Sequence, residues 1–268
     1  MRVLFVGIFI LLLLPIWLLF VGSLQDMYGI MAMPPALIPP NPTLANYVAI
    51  LKWPVWRFLA NTLVITGVSV ILSVGVSSSA GYVFAFFNWK GKEILWTAFL
   101  FGIMVPRISL LIPQYVILSR LQLSGEIAGV VLPYIFIPTG LYLARNYFES
   151  VPRSLLESAR IDGAHEWQVL TRVVMPISRP IIAALSVFAA INALSDYIWQ
   201  MLVLQETEKQ TLLVGLIRKV MHHGAGEYMV NPIGKSFAVA MILFIPLLVI
   251  FLFANRYYTG AIQGAVKE

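Results

Sequence analysis

The chain has 268 residues, 60% of them hydrophobic and 11% charged, with a net charge of +6. Water-soluble domains carry about 25% charged residues, so this composition excludes one and makes lipid the solvent for most of the length. The basic residues are scattered between apolar runs, which excludes a nucleic-acid stripe, and the absence of cysteine removes disulfides and thiolate metal sites.

A membrane helix needs about 20 apolar residues. By that ruler, apolar spans lie near 3–22, 58–87, 94–113, 127–147, 180–204 and 236–254. The expected fold class is all-α: a polytopic membrane protein with six transmembrane helices. With no linker or low-complexity segment, 1–268 reads as a single domain. The first span reads as a retained helix rather than a signal peptide, because its apolar run is long and no small-x-small cleavage site follows Gly22. Arginines and lysines concentrate in the compact stretch from Arg145 to Arg179, which places that stretch and both termini in the cytoplasm.

The outer loop 23–56 holds Pro34, Pro35, Pro39, Pro40, Pro42 and Pro54, so an extended surface segment is expected there rather than helix. In the second span Ser69, Ser73, Ser77, Gly81 and Ala85 recur every fourth residue and put small side chains on one helix face. In lipid such a face lets another helix approach closely. The outer loop 205–235 reads as a connection with a turn at Gly224–Gly226. His222-His223 reads as plain loop, since adjacent residues point apart and no third metal ligand is near.

The segment 150–176 is different. Pro152 suits a first helical turn, and Ser154-x-x-Glu157 has the capping-box pattern. Asp162-Gly163 should end that helix, because glycine accepts the left-handed conformation. A second helix then presents Trp167, Leu170 and Val174 until Pro176 stops it. Leu155, Leu156 and Ala159 form an apolar ridge beside the break, ringed by charges. Such a ridge suits a groove on another protein, or the lipid headgroup layer.

The residues of this segment resemble the cytoplasmic loop of the membrane subunits of binding-protein-dependent ABC importers: Glu-Ala-Ala, three residues, Gly, nine residues, Ile-x-Leu-Pro. Glu157, Ala159, Gly163 and Pro176 fall at the matching positions, with Ser158, Val173 and Met175 as departures. Pro34-Pro35, Leu37-Ile38-Pro39, Pro42-Thr43-Leu44 and Asn46-Tyr47 resemble the first outer loop of the sugar-importing branch. Thr211-Leu212 with Val214-Gly215-Leu216 resembles its last outer loop, and Arg256-Tyr257-Tyr258 with Gly264-Ala265-Val266-Lys267 its C-terminal end.

The resemblance implies a type I ABC importer permease fold and a heteromeric assembly in the bacterial or archaeal cell membrane. Its partners would be a homologous second permease, two copies of an ABC ATPase and an extracytoplasmic solute-binding protein. Leu155, Leu156, Glu157, Ala159, Asp162, Gly163, Ala164 and Pro176 would form the ATPase-coupling element, with Glu157 pairing to a basic residue of the ATPase groove. The chain has no Gly-x-x-x-x-Gly-Lys-Ser/Thr sequence, so it is no enzyme and binds no cofactor itself; ATP and Mg belong to the partner.

Charges inside spans mark function. Arg107 and Asp196 lie about 20 Å and 24 Å up their spans, at 1.5 Å per residue. Asn192, Asp196 and Trp199 are expected on one helix face, with Tyr197 beside them, as polar groups and an aromatic plate suited to a sugar. These residues line a substrate pathway or form a gate; an Arg107–Asp196 ion pair joining two helices is the structural alternative. The competing functional reading is an ion-coupled secondary transporter using Asp196.

Overall fold

In the computed structural model the backbone is described for residues 2–222 and 231–265, and side chains for 7–221 except 10, for 231–250 and for 252. The Gly224–Gly226 turn, His223 and the side chains from Arg256 to Lys267 lie outside the described residues. Among the described residues every regular element is helical: α1 (Arg2–Ser23), α2 (Met27–Met31), α3 (Ala45–Leu51), α4 (Val55–Phe86), α5 (Lys92–Met104), α6 (Leu111–Arg120), α7 (Ile127–Val131), α8 (Pro138–Phe148), α9 (Arg153–Ile161), α10 (Glu166–Gln168), α11 (Met175–Ile177), α12 (Arg179–Ser195), α13 (Tyr197–Val203), α14 (Leu212–His222) and α15 (Pro232–Ala265). Short 3-10 turns lie at Arg107–Leu110, Leu132–Tyr134 and Thr207–Lys209, and a π-helical segment at Val169–Val174.

Among the described residues, α4 and α15 are the continuous helices long and apolar enough to cross a membrane. The expected third and fourth spans are bent pairs: α5 and the helix from Arg107 to Arg120 meet at 100°, and Ile127–Tyr134 and α8 at 44°. Proline explains both. Val105 (ψ 120°) and Ile137 (ψ 115°) are extended because the following ring excludes the helical conformation from the preceding residue. A third pair, Glu166–Ile177 and α12, bends by 89° at Ser178. The fifth span breaks again at Asp196, whose carboxylate accepts from the Trp199 backbone N–H at 3.2 Å and so starts α13.

The loops hold more helix than expected. α2 and α3 lie within 23–56, and proline keeps only the stretch between them irregular. α14 lies within 205–235, so Thr211-Leu212 and Val214-Gly215-Leu216 run into a helix rather than a plain connection. Gly215 has a packing reason: a Cβ there would meet the Phe58 ring at 2.4 Å.

The chain divides into two compact units. The first comprises Met1–Asn61 and Gln210–Leu248, and packs Ile50, Val55, Phe58, Leu212, Leu216, Ala238 and Val239 together. A buried asparagine pair ties its ends. Asn46 donates to the carbonyls of Ser23 and Gln25, each at 2.9 Å, and accepts from Asn231 at 3.2 Å. The second unit comprises Thr62–Lys209 and Val249–Glu268, and holds both candidate sites. Here the small-residue stripe of α4 finds its neighbour within the chain. A Cβ on Gly81 would lie 2.6 Å from the Ala144 Cβ, and one on Gly140 would lie 2.7 Å from the Ser77 Oγ. Ser69, Ser73, Ser77 and Ala85 are buried, so α4 and α8 meet through close backbone approach.

Candidate functional site

The stretch from Arg153 to Ile177 forms a helix, a glycine turn and a second helix. α9 ends as expected: Gly163 has φ +85°, its N–H bonds the Arg160 carbonyl, and the Ala164 N–H bonds the Ala159 carbonyl, each at 3.0 Å. That pair of bonds is the Schellman termination, which satisfies carbonyls the helix would otherwise leave open. The start of α9 differs from expectation. Pro152 is itself the cap position, no side chain caps the helix, and Ser154 and Glu157 lie inside it, so the capping box does not form. The reciprocal bond appears instead at the start of the next helix, where the Gln168 side chain accepts from the His165 N–H at 3.2 Å.

The second helix is corrected twice. Pro176 does not stop it. The preceding residues widen into the π segment Val169–Val174, and the helix continues to Ile177. A wide turn moves the carbonyl that the proline ring would strike in an α-helix. Nor do Trp167, Leu170 and Val174 form one buried stripe. Leu170 and Val174 are buried, whereas Trp167 is 63% exposed. The ridge on α9 splits in the same way. Leu156 is buried and Ala159 packs on the same cluster, with Phe148, Val169, Leu170 and Val174, while Leu155 faces out. The outward face therefore carries Leu155, Glu157, Asp162 and Trp167, together with Ile161, which is 86% exposed and which periodicity did not single out.

A second feature beyond the sequence pattern is a clamp across the turn. Arg160 bonds Glu166 through two nitrogens, at 2.8 and 3.1 Å, and the Tyr82 hydroxyl of α4 donates to the same carboxylate. The Arg160 guanidinium, followed by the Tyr82 hydroxyl, holds the Glu166 carboxyl below its ordinary value of 4.5 against partial burial. The two arms of the turn are thus tied to each other and to α4. The signal lay in Arg160-x5-Glu166, but its third member is 84 residues away.

Arg107 and Asp196 converge at helix breaks with Tyr134, which the sequence pattern did not single out. Arg107 follows the break in the third span, Tyr134 precedes the one in the fourth, and Asp196 is the one in the fifth. The Arg107 guanidinium lies 2.7 Å from Asp196 and 3.3 Å from the Asn192 Oδ1, and the Tyr134 hydroxyl donates to Asp196 at 3.0 Å. The ion pair is formed. Trp199 does not serve as an open plate: it is 2% exposed, packs with Val130, Tyr134 and Val203, and its indole N–H donates to the Val130 carbonyl at 3.2 Å. It nevertheless borders the same cavity as Asn192 and Asp196. Tyr197 is half-buried.

Two cavities stand out among the described residues of this unit. One, of about 240 Å³, is lined by Arg107, Gln114, Asn192, Ser195, Asp196, Trp199 and aliphatic neighbours. The other is a groove of about 1070 Å³ along α4, the π segment and α12, reaching Pro176 and Arg179; its wall is almost wholly apolar and offers few partners to a hydroxylated ligand. His222 ends α14, and among the described residues no group of three metal-ligating side chains occurs.

Residues 73–262 match the family model described as binding-protein-dependent transport system inner membrane component. An arabinooligosaccharides transport system permease protein of Bacillus subtilis is 30% identical over 79% of this chain and 74% of its own length. A maltose/maltodextrin transport system permease protein of Vibrio parahaemolyticus is 29% identical over 87% of this chain and 84% of its own. Among solved structures, a chain of a bacterial ABC transporter involved in the import of the acidic polysaccharide alginate superposes with a TM-score of 0.83 at 23% identity, over 96% of this chain and 95% of that one.

Proposed function

The chain belongs to the family of binding-protein-dependent transport system inner membrane components, and from that premise we propose that it forms half of the pathway of an ATP-driven sugar importer. The names of its relatives support sugars or oligosaccharides as the substrate class. Its partners are then a second permease, a pair of ATPase subunits that carry ATP and magnesium, and an outer solute-binding protein. Nothing favours the ion-coupled alternative: the Asp196 carboxylate already accepts from Arg107, Tyr134 and the Trp199 backbone.

The observation that carries the coupling role is the two-sided character of α9. Its inner side, Leu156 and Ala159, packs into the core cluster shared by α4, α8, the π segment and α12. Its outer side offers Leu155, Glu157, Ile161 and Asp162 around the Gly163 turn. An exposed apolar pair bordered by acids suits a groove whose rim is basic. In this reading, closure of the ATPase pair displaces α9 and the turn as one body. Leu156 presses on the core, and the Arg160–Glu166–Tyr82 clamp carries the displacement to α4 as well as to the flanking helices. Alternating access then follows from tilting the helices of this unit.

Co-expression with the partner subunits tests the proposal. The expected result is a co-purifying ATPase whose turnover rises with substrate-loaded binding protein. Glu157→Arg should release the ATPase while leaving the fold of the chain unchanged. Sugar uptake by the purified chain alone in vesicles would reject it.

A further inference from the structure

The cavity of about 240 Å³ beside Arg107 is built where the third and fifth spans break. Pockets for drug-sized ligands run to about 300–1,000 Å³, so this one has room for a single sugar ring. Its wall is polar and apolar in about equal measure, unlike the apolar groove beside α12. Guanidinium carries five N–H donors. Arg107 spends one on Asp196 and one on Asn192, and the rest are open, since its side chain is 54% exposed. Gln114, half-buried in the wall, makes no hydrogen bond among the described residues and keeps its whole amide. The Ser195 hydroxyl donates to the Ile191 carbonyl and keeps its lone pairs. Donors and acceptors around a ring-sized space, with Trp199 and aliphatic side chains among them, match the hydroxyl rim and C–H faces of a sugar.

The charge of this wall decides among sugars. Arg107 on its own would select an acidic ring. Asp196, 2.7 Å away, cancels that charge and would lie against any carboxylate that approached. We propose that this cavity is a subsite for one neutral sugar ring, held by Arg107, Gln114 and Ser195, and that Asp196 is the residue that excludes acidic rings. The proposal rests on the importer reading and adds to it the charge class of the cargo.

The test uses the complete complex of this chain, its partner permease and its ATPase in lipid nanodiscs. It is titrated with the mono- to trisaccharides of glucose, galactose and arabinose, and with the corresponding galacturonates. Wild type should bind at least one neutral series about tenfold or more tighter than the galacturonates, the scale set by like-charge juxtaposition. Gln114→Ala should weaken the neutral sugar about two- to tenfold, the range for one net hydrogen bond. Asp196→Asn keeps the helix cap, because asparagine caps as well as aspartate, and should narrow or reverse the preference. Wild-type preference for galacturonates, the absence of neutral binding, or indifference to both substitutions would overturn the subsite. Those outcomes, in a complex that still holds a stimulated ATPase, leave the importer reading standing. Failure of any ATPase to co-purify strikes at the importer reading instead.

Discussion

Replacing Gly163 separates backbone strain from crowding by a partner. The residue has φ +85°, and a Cβ built on it meets nothing within 4 Å, so within this chain a side chain has room. The cost of Gly163→Ala is therefore conformational: about 1–2 kcal/mol for an L-residue held in the left-handed region. That penalty corresponds to a factor of about 5–30 in the population of the closed turn. Asparagine tolerates this region better, so Gly163→Asn should cost visibly less. Hydrogen exchange at residue 163 and at Ala164, whose amides close the turn on Arg160 and Ala159, reads the difference directly. Alanine should speed that exchange about 5- to 30-fold relative to wild type, and asparagine by a few-fold at most. ATPase co-purification supplies the second axis. Loss of the ATPase from the asparagine variant, with the turn intact, means that the partner fills the space over Gly163. Equal exchange in all three proteins would refute the strain argument.

Other substitutions test the packing and the clamps. Gly81→Ala should lower stability by about 1–3 kcal/mol, because its Cβ would meet Ala144 and the Arg145 backbone at 3.0 Å or less. Gly75→Ala, with nothing within 4 Å, should instead stabilise α4 by about 0.5–1 kcal/mol; thermal unfolding in detergent measures both. At the three-way junction, Asp196→Ala removes the carboxylate to which the buried Tyr134 hydroxyl donates, together with a helix cap, and should cost about 2 kcal/mol. Arg107→Ala should cost about 1 kcal/mol or less, because the guanidinium is more than half exposed; a larger loss from the arginine than from the aspartate would contradict this ordering. Because the Glu166 carboxyl titrates lower when folded, its clamp holds fully above pH 4.5 and is lost as pH falls through that lowered value. Exchange around the Gly163 turn, corrected for the intrinsic rate, should accelerate at acid pH, and Glu166→Gln should remove the pH dependence.

What could be read from the chain depended on the range of the interaction. The Gly163 turn and the small face of α4 are local patterns, and both stand in the structure. Counting apolar residues located long apolar helices but not the breaks within them. Hydropathy does not register that Pro106 and Pro138 force Val105 and Ile137 out of helix. Periodicity grouped Leu155 with Leu156, although neighbours on a helix point about 100° apart and only one can face the core. The same projection put Trp199 on the face of Asn192, and both line one cavity, but it did not show that the indole is packed against Val130 and Tyr134. Asp196 ends one helix and caps the next, as aspartate commonly does. Tyr82 on Glu166 could not be read at all, since nothing near either residue in sequence points to the other.

The wide turn at Val169–Val174 has a consequence for chain length. A π turn houses one residue more than an α turn. Deleting one residue there would restore ordinary winding, and because the wide turn had absorbed that residue the helix on either side would keep its facing; the same deletion in a regular α-helix turns everything beyond it by about 100°. The facing of the Gly163 turn relative to α12 should therefore survive a one-residue deletion within Val169–Val174 and not one within α12. The segment joining the turn to the membrane helices thus carries a spare residue.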